Sequence, residues 1–110
     1  MTAERFHYKM IIFLNEYRDH LLFLKSNKAV THHCDIVNEF INYLYNLHLI
    51  SDLGQITVSI ANSKFHNHYK KISKEVVSKE SVKNILREFF IFINGKYSVT
   101  NETLMKGLKK

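Results

Sequence analysis

The sequence predicts an all-α fold, a compact bundle of four main helices followed by a short C-terminal helix. Apolar side chains recur at three- and four-residue spacings along most of the chain. The 110 residues include no proline and only three glycines, whereas a sheet-rich domain needs many such turn residues. An apolar fraction of 45% is enough for a buried core. We therefore expect a single helical domain over residues 1–110.

The first two helices are indicated by the clearest periodicity. The first is predicted from about Ala3 to Lys25, before the turn-forming residues that follow it. Its apolar face comprises Phe6, Met10, Phe13, Tyr17, Leu21 and Leu24. The second is predicted from about Val30 to Leu49, with the Thr31 hydroxyl capping its start. Its apolar face comprises Val37, Phe40, Ile41, Leu44, Leu47 and His48.

The second half of the chain predicts two further helices and a short final one. Thr57 is predicted to cap the third helix, whose buried stripe is Ala61, Phe65 and Tyr69. Ser78 is expected to cap the fourth helix, and Gly95 to end it in the left-handed conformation. The apolar face of this fourth helix comprises Val82, Leu86, Phe89, Phe90 and Ile93. The fifth helix is predicted from Asn101 to Leu108.

Positive charge is concentrated in the second half of the chain. Residues 1–61 carry a net charge of −1 and residues 62–110 carry +7, which gives +6 in total. Such asymmetry predicts a polyanionic partner, with nucleic acid ahead of an anionic membrane. In the fourth helix, Lys79, Lys83 and Arg87 follow one another at four-residue spacing. We expect them to form an exposed basic stripe that contacts phosphates.

Residue patterns typical of catalysis or metal binding do not occur in this sequence. His32, His33 and Cys34 are adjacent, and neighbouring residues of a helix diverge by about 100°, so they cannot converge on one ion. No CxxC pair, HExxH motif or phosphate-binding loop is present. We therefore expect no enzyme active site, no metal, no cofactor and no small-molecule substrate.

Targeting signals are equally sparse. The N-terminus has no secretory pattern, no apolar run reaches the ~20 residues that span a bilayer, and Cys34 is the single cysteine. These features predict a cytoplasmic protein that does not associate with a membrane.

Four segments in a fixed order resemble a known family. They are Phe40–Leu44 (FINYL), Leu53–Thr57 (LGQIT), Ser81–Val82 and Leu86–Ile93 (LREFFIFI). Over residues 10–94 the chain resembles the SAM-like N-terminal core-binding domain of tyrosine recombinases and phage integrases. A protein of this kind would be encoded by a bacterium or a phage.

The resemblance implies double-stranded DNA binding in DNA integration and recombination. In that family the core-binding domain closes over one face of the duplex, and a larger C-terminal catalytic domain of the same polypeptide grips the other face. The catalytic residues belong to that second domain, so no catalysis is expected from this chain. The implied DNA contacts are Lys28, His32, His33, Lys79, Lys83 and Arg87. The implied rim of the interface is Lys25, Lys70 and Lys71.

An alternative interpretation comes from apolar residues outside the main stripe of the first helix. Ile11, Ile12, Leu22 and Phe23 are apolar beyond that stripe. Large exposed apolar patches tend to be binding sites. On this interpretation the chain is a small free-standing helical module, carried by a phage, that binds another protein.

Overall fold

Every regular element of the structure is helical, as predicted. The computed structural model describes residues 2–109, and no β-strand occurs within that range. The α-helices are α1 (Ala3–Leu22), α2 (Asn27–His48), α3 (Phe65–Ile72), α4 (Lys79–Tyr97) and α5 (Glu102–Leu108). A short 3-10 turn, Leu53–Gln55, and a π-helical segment, Ile60–Lys64, precede α3. The chain forms two compact units, the first ending at Asp52 and the second beginning at Leu53.

The first unit is a hairpin of α1 packed against α2. The aromatic rings of His7 and Tyr45 are 4.7 Å apart, which places the start of α1 beside the end of α2. Most residues of the predicted apolar faces are buried: Phe6, Met10, Phe13, Tyr17, Leu21, Val37, Phe40, Ile41 and Leu44. The exceptions are Leu24 and Leu47, which are 65% and 59% exposed, and His48, which is half-buried.

The turn between α1 and α2 differs from the prediction. Helix α1 ends at Leu22 rather than at Lys25, and therefore Leu24 lies beyond the helix and outside its buried face. Helix α2 begins at Asn27 because Ser26 caps it: the Ser26 Oγ accepts a hydrogen bond from the Ala29 N–H at 3.3 Å. The predicted cap at Thr31 is wrong, since this residue lies inside the helix.

In the second unit, helical backbone begins at Val58 and continues through the π-helical segment into α3. The Thr57 Oγ1 accepts a hydrogen bond from the Ile60 N–H at 3.1 Å, which confirms the predicted cap. Ala61, Phe65 and Tyr69 are buried, as the periodicity predicts.

Helix α4 begins as predicted and ends later. The Ser78 Oγ accepts from the Ser81 N–H at 3.1 Å, and the five predicted apolar residues are all buried. Gly95 lies inside the helix, so the prediction that it ends α4 is wrong. Ser98 takes the left-handed conformation instead, with φ of 56°, and its N–H donates to the Asn94 carbonyl at 2.9 Å.

Helix α5 is held at both ends within the second unit. The Asn101 Oδ1 caps it by accepting from the Leu104 N–H at 3.1 Å. The Asn101 Nδ2 donates to the carbonyls of Leu53 and Ile56, each at 3.0 Å, which ties α5 to the 3-10 turn. Near its end, Gly107 packs directly against the side chain of Val58.

Candidate nucleic-acid interface

Lys83, predicted as the middle of an exposed basic stripe, has a buried side chain. Its side chain is only 7% exposed, and its Nζ lies 3.0 Å from the Glu80 Oε2. The helical period explains the difference, because Lys83 is three residues from Leu86 and seven from Phe90, which places it on their buried face. The aliphatic stem is covered while the ammonium group meets a carboxylate that is 69% exposed.

The two other residues of the predicted stripe are more accessible. Lys79 is exposed and Arg87 is half-buried. Because Lys83 lies between them along α4, the continuous stripe of three exposed cations is not present. Lys79 turns instead towards the π-helical segment, where its Nζ donates to the Ser63 Oγ at 3.2 Å. This contact brings the start of α4 next to the residues that precede α3.

The turn between α3 and α4 gathers several exposed lysines, which we term the α3–α4 lysine cluster. Its members are Lys64, Lys70, Lys71, Lys74 and Lys79, all of them exposed. Residues 63–83 hold six lysines and two glutamates, a net charge of +4. Lys70 and Lys71 were expected only at the rim of the DNA interface, and Lys64 and Lys74 were not predicted to take part. The density of lysine in this stretch is the sequence signal that points to them.

Two sets of hydrogen bonds fix the backbone of the loop in this cluster. The His66 Nε2 lies 3.1 Å from the Val77 carbonyl oxygen, which links α3 to the segment before α4. The Ser73 hydroxyl accepts from the Glu75 N–H at 3.2 Å and donates to the Glu75 carbonyl at 3.1 Å. The lysines of the cluster are thus carried on helices and a tied loop, and their side chains are exposed, that of Lys79 while it donates to Ser63.

A pocket of about 320 Å³ opens beside this loop. It is lined by His66, Tyr69, Lys70, Ser73, Lys74, Glu75, Val76 and Val77. The ammonium groups of Lys70 and Lys74 are donors suited to an anionic group such as a phosphate, whereas the Ser73 hydroxyl already donates to the Glu75 carbonyl. The pocket therefore adds a concave element to the lysine cluster.

The candidates in the first unit lie around the start of α2. Lys25 and Lys28 are exposed, and His32 and His33 are half-buried. The His32 and His33 rings meet edge to face, with centroids 6.2 Å apart and an angle of 77° between their planes. These residues belong to the first unit, while Lys79, Lys83 and Arg87 belong to the second. We therefore treat them as two separate candidate surfaces.

Cys34 is a buried thiol. Its side chain is 4% exposed, and burial raises the pKa of the thiol above its ordinary value of 9.0. A hydrogen bond and a charge from Arg18 act in the opposite direction without cancelling the effect of burial. Because the nucleophilic form of cysteine is the thiolate, this environment disfavours nucleophilic chemistry at Cys34. Among residues 2–109, no group of three or more His, Cys, Asp or Glu side chains is arranged to hold a metal ion.

Comparison with known proteins adds no relative. No protein-family model, curated protein or solved structure matches the chain. None of the helices that the structure describes is long and apolar enough to cross a membrane.

Proposed function

We propose that the chain is a double-stranded-DNA-binding module without catalytic activity of its own. The single observation that carries this proposal is the α3–α4 lysine cluster, five exposed lysines between the residue before α3 and the start of α4. The cluster's neighbouring acids are few: Glu75 lies in the turn, and Glu80 is paired with Lys83. An exposed surface that is predominantly positive suits a partner of the opposite sign that is itself densely charged.

The high charge density of a DNA duplex suits a lysine-rich surface of this kind. Double-stranded DNA carries one negative charge per ~1.7 Å of its axis, and each phosphate that a lysine neutralises releases condensed counterions. Lysine behaves as a mobile point charge, which suits contacts with phosphates better than recognition of base edges. We therefore assign the cluster to positioning on the phosphate backbone, with little sequence preference of its own.

The order of motifs along the chain supports a more specific role. By its resemblance to core-binding domains of tyrosine recombinases, the module would grip one face of a DNA site while a catalytic domain of the parent chain grips the other. The proposed contacts in the second unit are Lys64, Lys70, Lys71, Lys74 and Lys79, together with the half-buried Arg87 further along α4. Lys83 is removed from the contact set because its side chain is buried. Lys25, Lys28, His32 and His33 remain proposed contacts of the first unit.

The test is a salt series of binding to a mixed-sequence duplex, followed by fluorescence anisotropy. Affinity should fall linearly on a log–log plot between about 50 and 200 mM salt, with a slope of about −0.9 for each phosphate contacted. The double variant Lys70→Gln/Lys71→Gln should bind more weakly. The magnitude of its log–log slope should be smaller by about 0.9 for each phosphate that is no longer neutralised.

A charge-matched control separates local contacts from the effect of net charge. Lys106→Gln/Lys109→Gln also removes two exposed lysines from the second unit. These residues lie in or directly after α5, which packs against Val58. Val58 begins the helical backbone that leads into α3, and it lies about 18 Å before Lys70 along that backbone. Equal weakening of binding in both double variants would refute the assignment to the cluster. Absence of binding by the unmodified chain at low salt would refute DNA binding altogether.

Protein binding is the second candidate function, and one observation favours it. Leu22, Phe23 and Leu24 are consecutive, and their side chains are 49%, 90% and 65% exposed. If they contact a protein, replacing Phe23 should abolish capture of that partner and leave the affinity for DNA unchanged.

A further inference from the structure

The turn between α1 and α2 presents an apolar tip, which we define as Leu22, Phe23 and Leu24. It is the one place among the described residues where three consecutive large apolar side chains are all exposed, Phe23 the most at 90%. The backbone is held by the end of α1: the N–H groups of Leu24 and Lys25 both donate to the Leu21 carbonyl at 2.9 Å. The tip is therefore a structured projection that contributes little to the core.

The charges around the apolar tip are mostly positive. Lys25 and Lys28 follow it directly and are exposed. Of the residues described in the first turn of α2, none is acidic. The nearest acids along the chain are Asp19, four residues before Phe23, and Asp35, seven residues after Lys28. An apolar projection with a cationic border is complementary to a polyanion that has an apolar interior.

We propose that the apolar tip is a wedge that enters the minor groove of double-stranded DNA and unstacks a base step. This inference rests on the proposed function and extends it to the first unit. The three side chains have no hydrogen-bonding groups, so they cannot read base edges, but Phe and Leu are side chains that proteins insert between base pairs. Lys25 and Lys28 would meet the phosphates that flank the opened step.

A wedge adds a contribution that differs in kind from that of the α3–α4 lysine cluster. Lysine–phosphate contacts weaken as salt is added, because they act through counterion release. Stacking of an aromatic ring on a base releases no counterion, so its contribution is largely independent of salt. The two surfaces can therefore be separated in one titration.

The first experiment uses Phe23→Trp as a local reporter, because the sequence contains no tryptophan. On titration with a mixed-sequence duplex, stacking on a base should quench its fluorescence. Tyr8→Trp is the matched control: Tyr8 is 71% exposed and lies on α1, about 22 Å along the helix from Phe23. Its emission should change much less. Equal quenching at both sites, or none at position 23 while DNA is bound, would overturn the wedge.

The second experiment removes the wedge with Phe23→Ser. Affinity for the duplex should fall about tenfold at every salt concentration, with an unchanged log–log slope. The bend measured by energy transfer between the duplex ends should be reduced. Because Phe23 is exposed, the thermal unfolding of this variant should match that of the unmodified chain.

The outcomes distinguish failure of the wedge from failure of the proposed function. Salt-dependent binding that is equal in the unmodified chain and in Phe23→Ser, with equal bending, overturns the wedge and leaves DNA binding intact. Absence of DNA binding by the unmodified chain overturns both. A blue shift of Phe23→Trp emission on anionic vesicles without a response to DNA overturns the wedge in favour of lipid. Weaker self-association of Phe23→Ser with unchanged DNA affinity overturns it in favour of contact between two copies.

Discussion

Two glycines inside helices should respond in opposite ways to the same substitution. Gly95 lies in α4, and a methyl group added there would meet nothing within 4 Å. Gly107 lies in α5, and the same group would lie 2.3 Å from the Val58 Cγ2 and 2.7 Å from its Cγ1. Neither glycine has a positive φ, so alanine suits the backbone at both positions. The comparison therefore isolates packing against Val58.

The expected magnitudes follow from these distances. Alanine is favoured over glycine inside a helix by about 0.5–1 kcal/mol, so Gly95→Ala should raise the free energy of unfolding by about that amount. At position 107 the new methyl group meets both branches of a β-branched side chain, so rotation about χ1 exchanges one clash for the other. Helix α5 must then shift, at a cost of about 1–3 kcal/mol that outweighs the gain in helix propensity.

Chemical denaturation followed by circular dichroism measures both variants directly. Gly107→Ala should be less stable than Gly95→Ala by about 1–3 kcal/mol, which corresponds to several degrees in melting temperature for a chain of this size. In a double-mutant cycle, Val58→Ala should relieve most of the cost of Gly107→Ala. If both single variants are stabilised alike, then α5 does not pack closely on Val58 and the reasoning is refuted.

Three further predictions concern the turn before α2, the buried thiol and the buried lysine. Ser26→Ala should lower the free energy of unfolding by about 0.5–2 kcal/mol by removing the cap, whereas Thr31→Ala at an exposed helix position should change it by no more than about 0.5 kcal/mol. Cys34 should react with a thiol reagent only after unfolding, which denaturant-dependent labelling measures. Because burial raises the pKa of Cys34, the unfolded chain loses the thiol proton at a lower pH than the folded chain does. Titration of Cys34 should therefore lower the free energy of unfolding as pH rises past 9.0, and a Cys34→Ala variant, which has no thiol, is the control. Lys83→Met should unfold within about 1.5 kcal/mol of the unmodified chain and bind DNA with an unchanged salt slope.

Periodicity was sufficient to predict the all-α class and most of the buried residues. The reason is physical: apolar residues at three- and four-residue spacing can be buried together only if the backbone is helical. Helix ends were harder to predict, because several residues of similar capping ability lie close together. Ser26 and Thr31 both carry a hydroxyl, and only Ser26 lies where the chain leaves the turn. Gly95 is suited to a left-handed end, yet α4 continues to Tyr97 and Ser98 takes that conformation instead.

The candidate surface was predicted less well than the fold, and Lys83 shows why. Its spacing from Lys79 and Arg87 places the three cations along one line of the helix. Whether each of them is exposed depends on how wide the buried face of the helix is. In α4 the buried face includes Ile85 as well as Val82 and Leu86, so it extends across Lys83. The contact between Lys79 and Ser63 joins residues sixteen positions apart, which no local pattern indicates.

The change of binding affinity with salt concentration distinguishes the two candidate functions. A module that uses only the α3–α4 lysine cluster should lose nearly all of its DNA affinity at high salt, because each phosphate contact releases counterions. A module that also inserts the apolar tip should bind about tenfold more tightly than Phe23→Ser at low and at high salt alike, because that contribution releases no counterion. A protein-binding module should show the opposite pattern, since apolar contacts strengthen in salts such as sulfate while contacts with phosphates weaken. If added salt weakens a complex that depends on Phe23, the partner is DNA, and if a salt such as sulfate strengthens it, the partner is a protein.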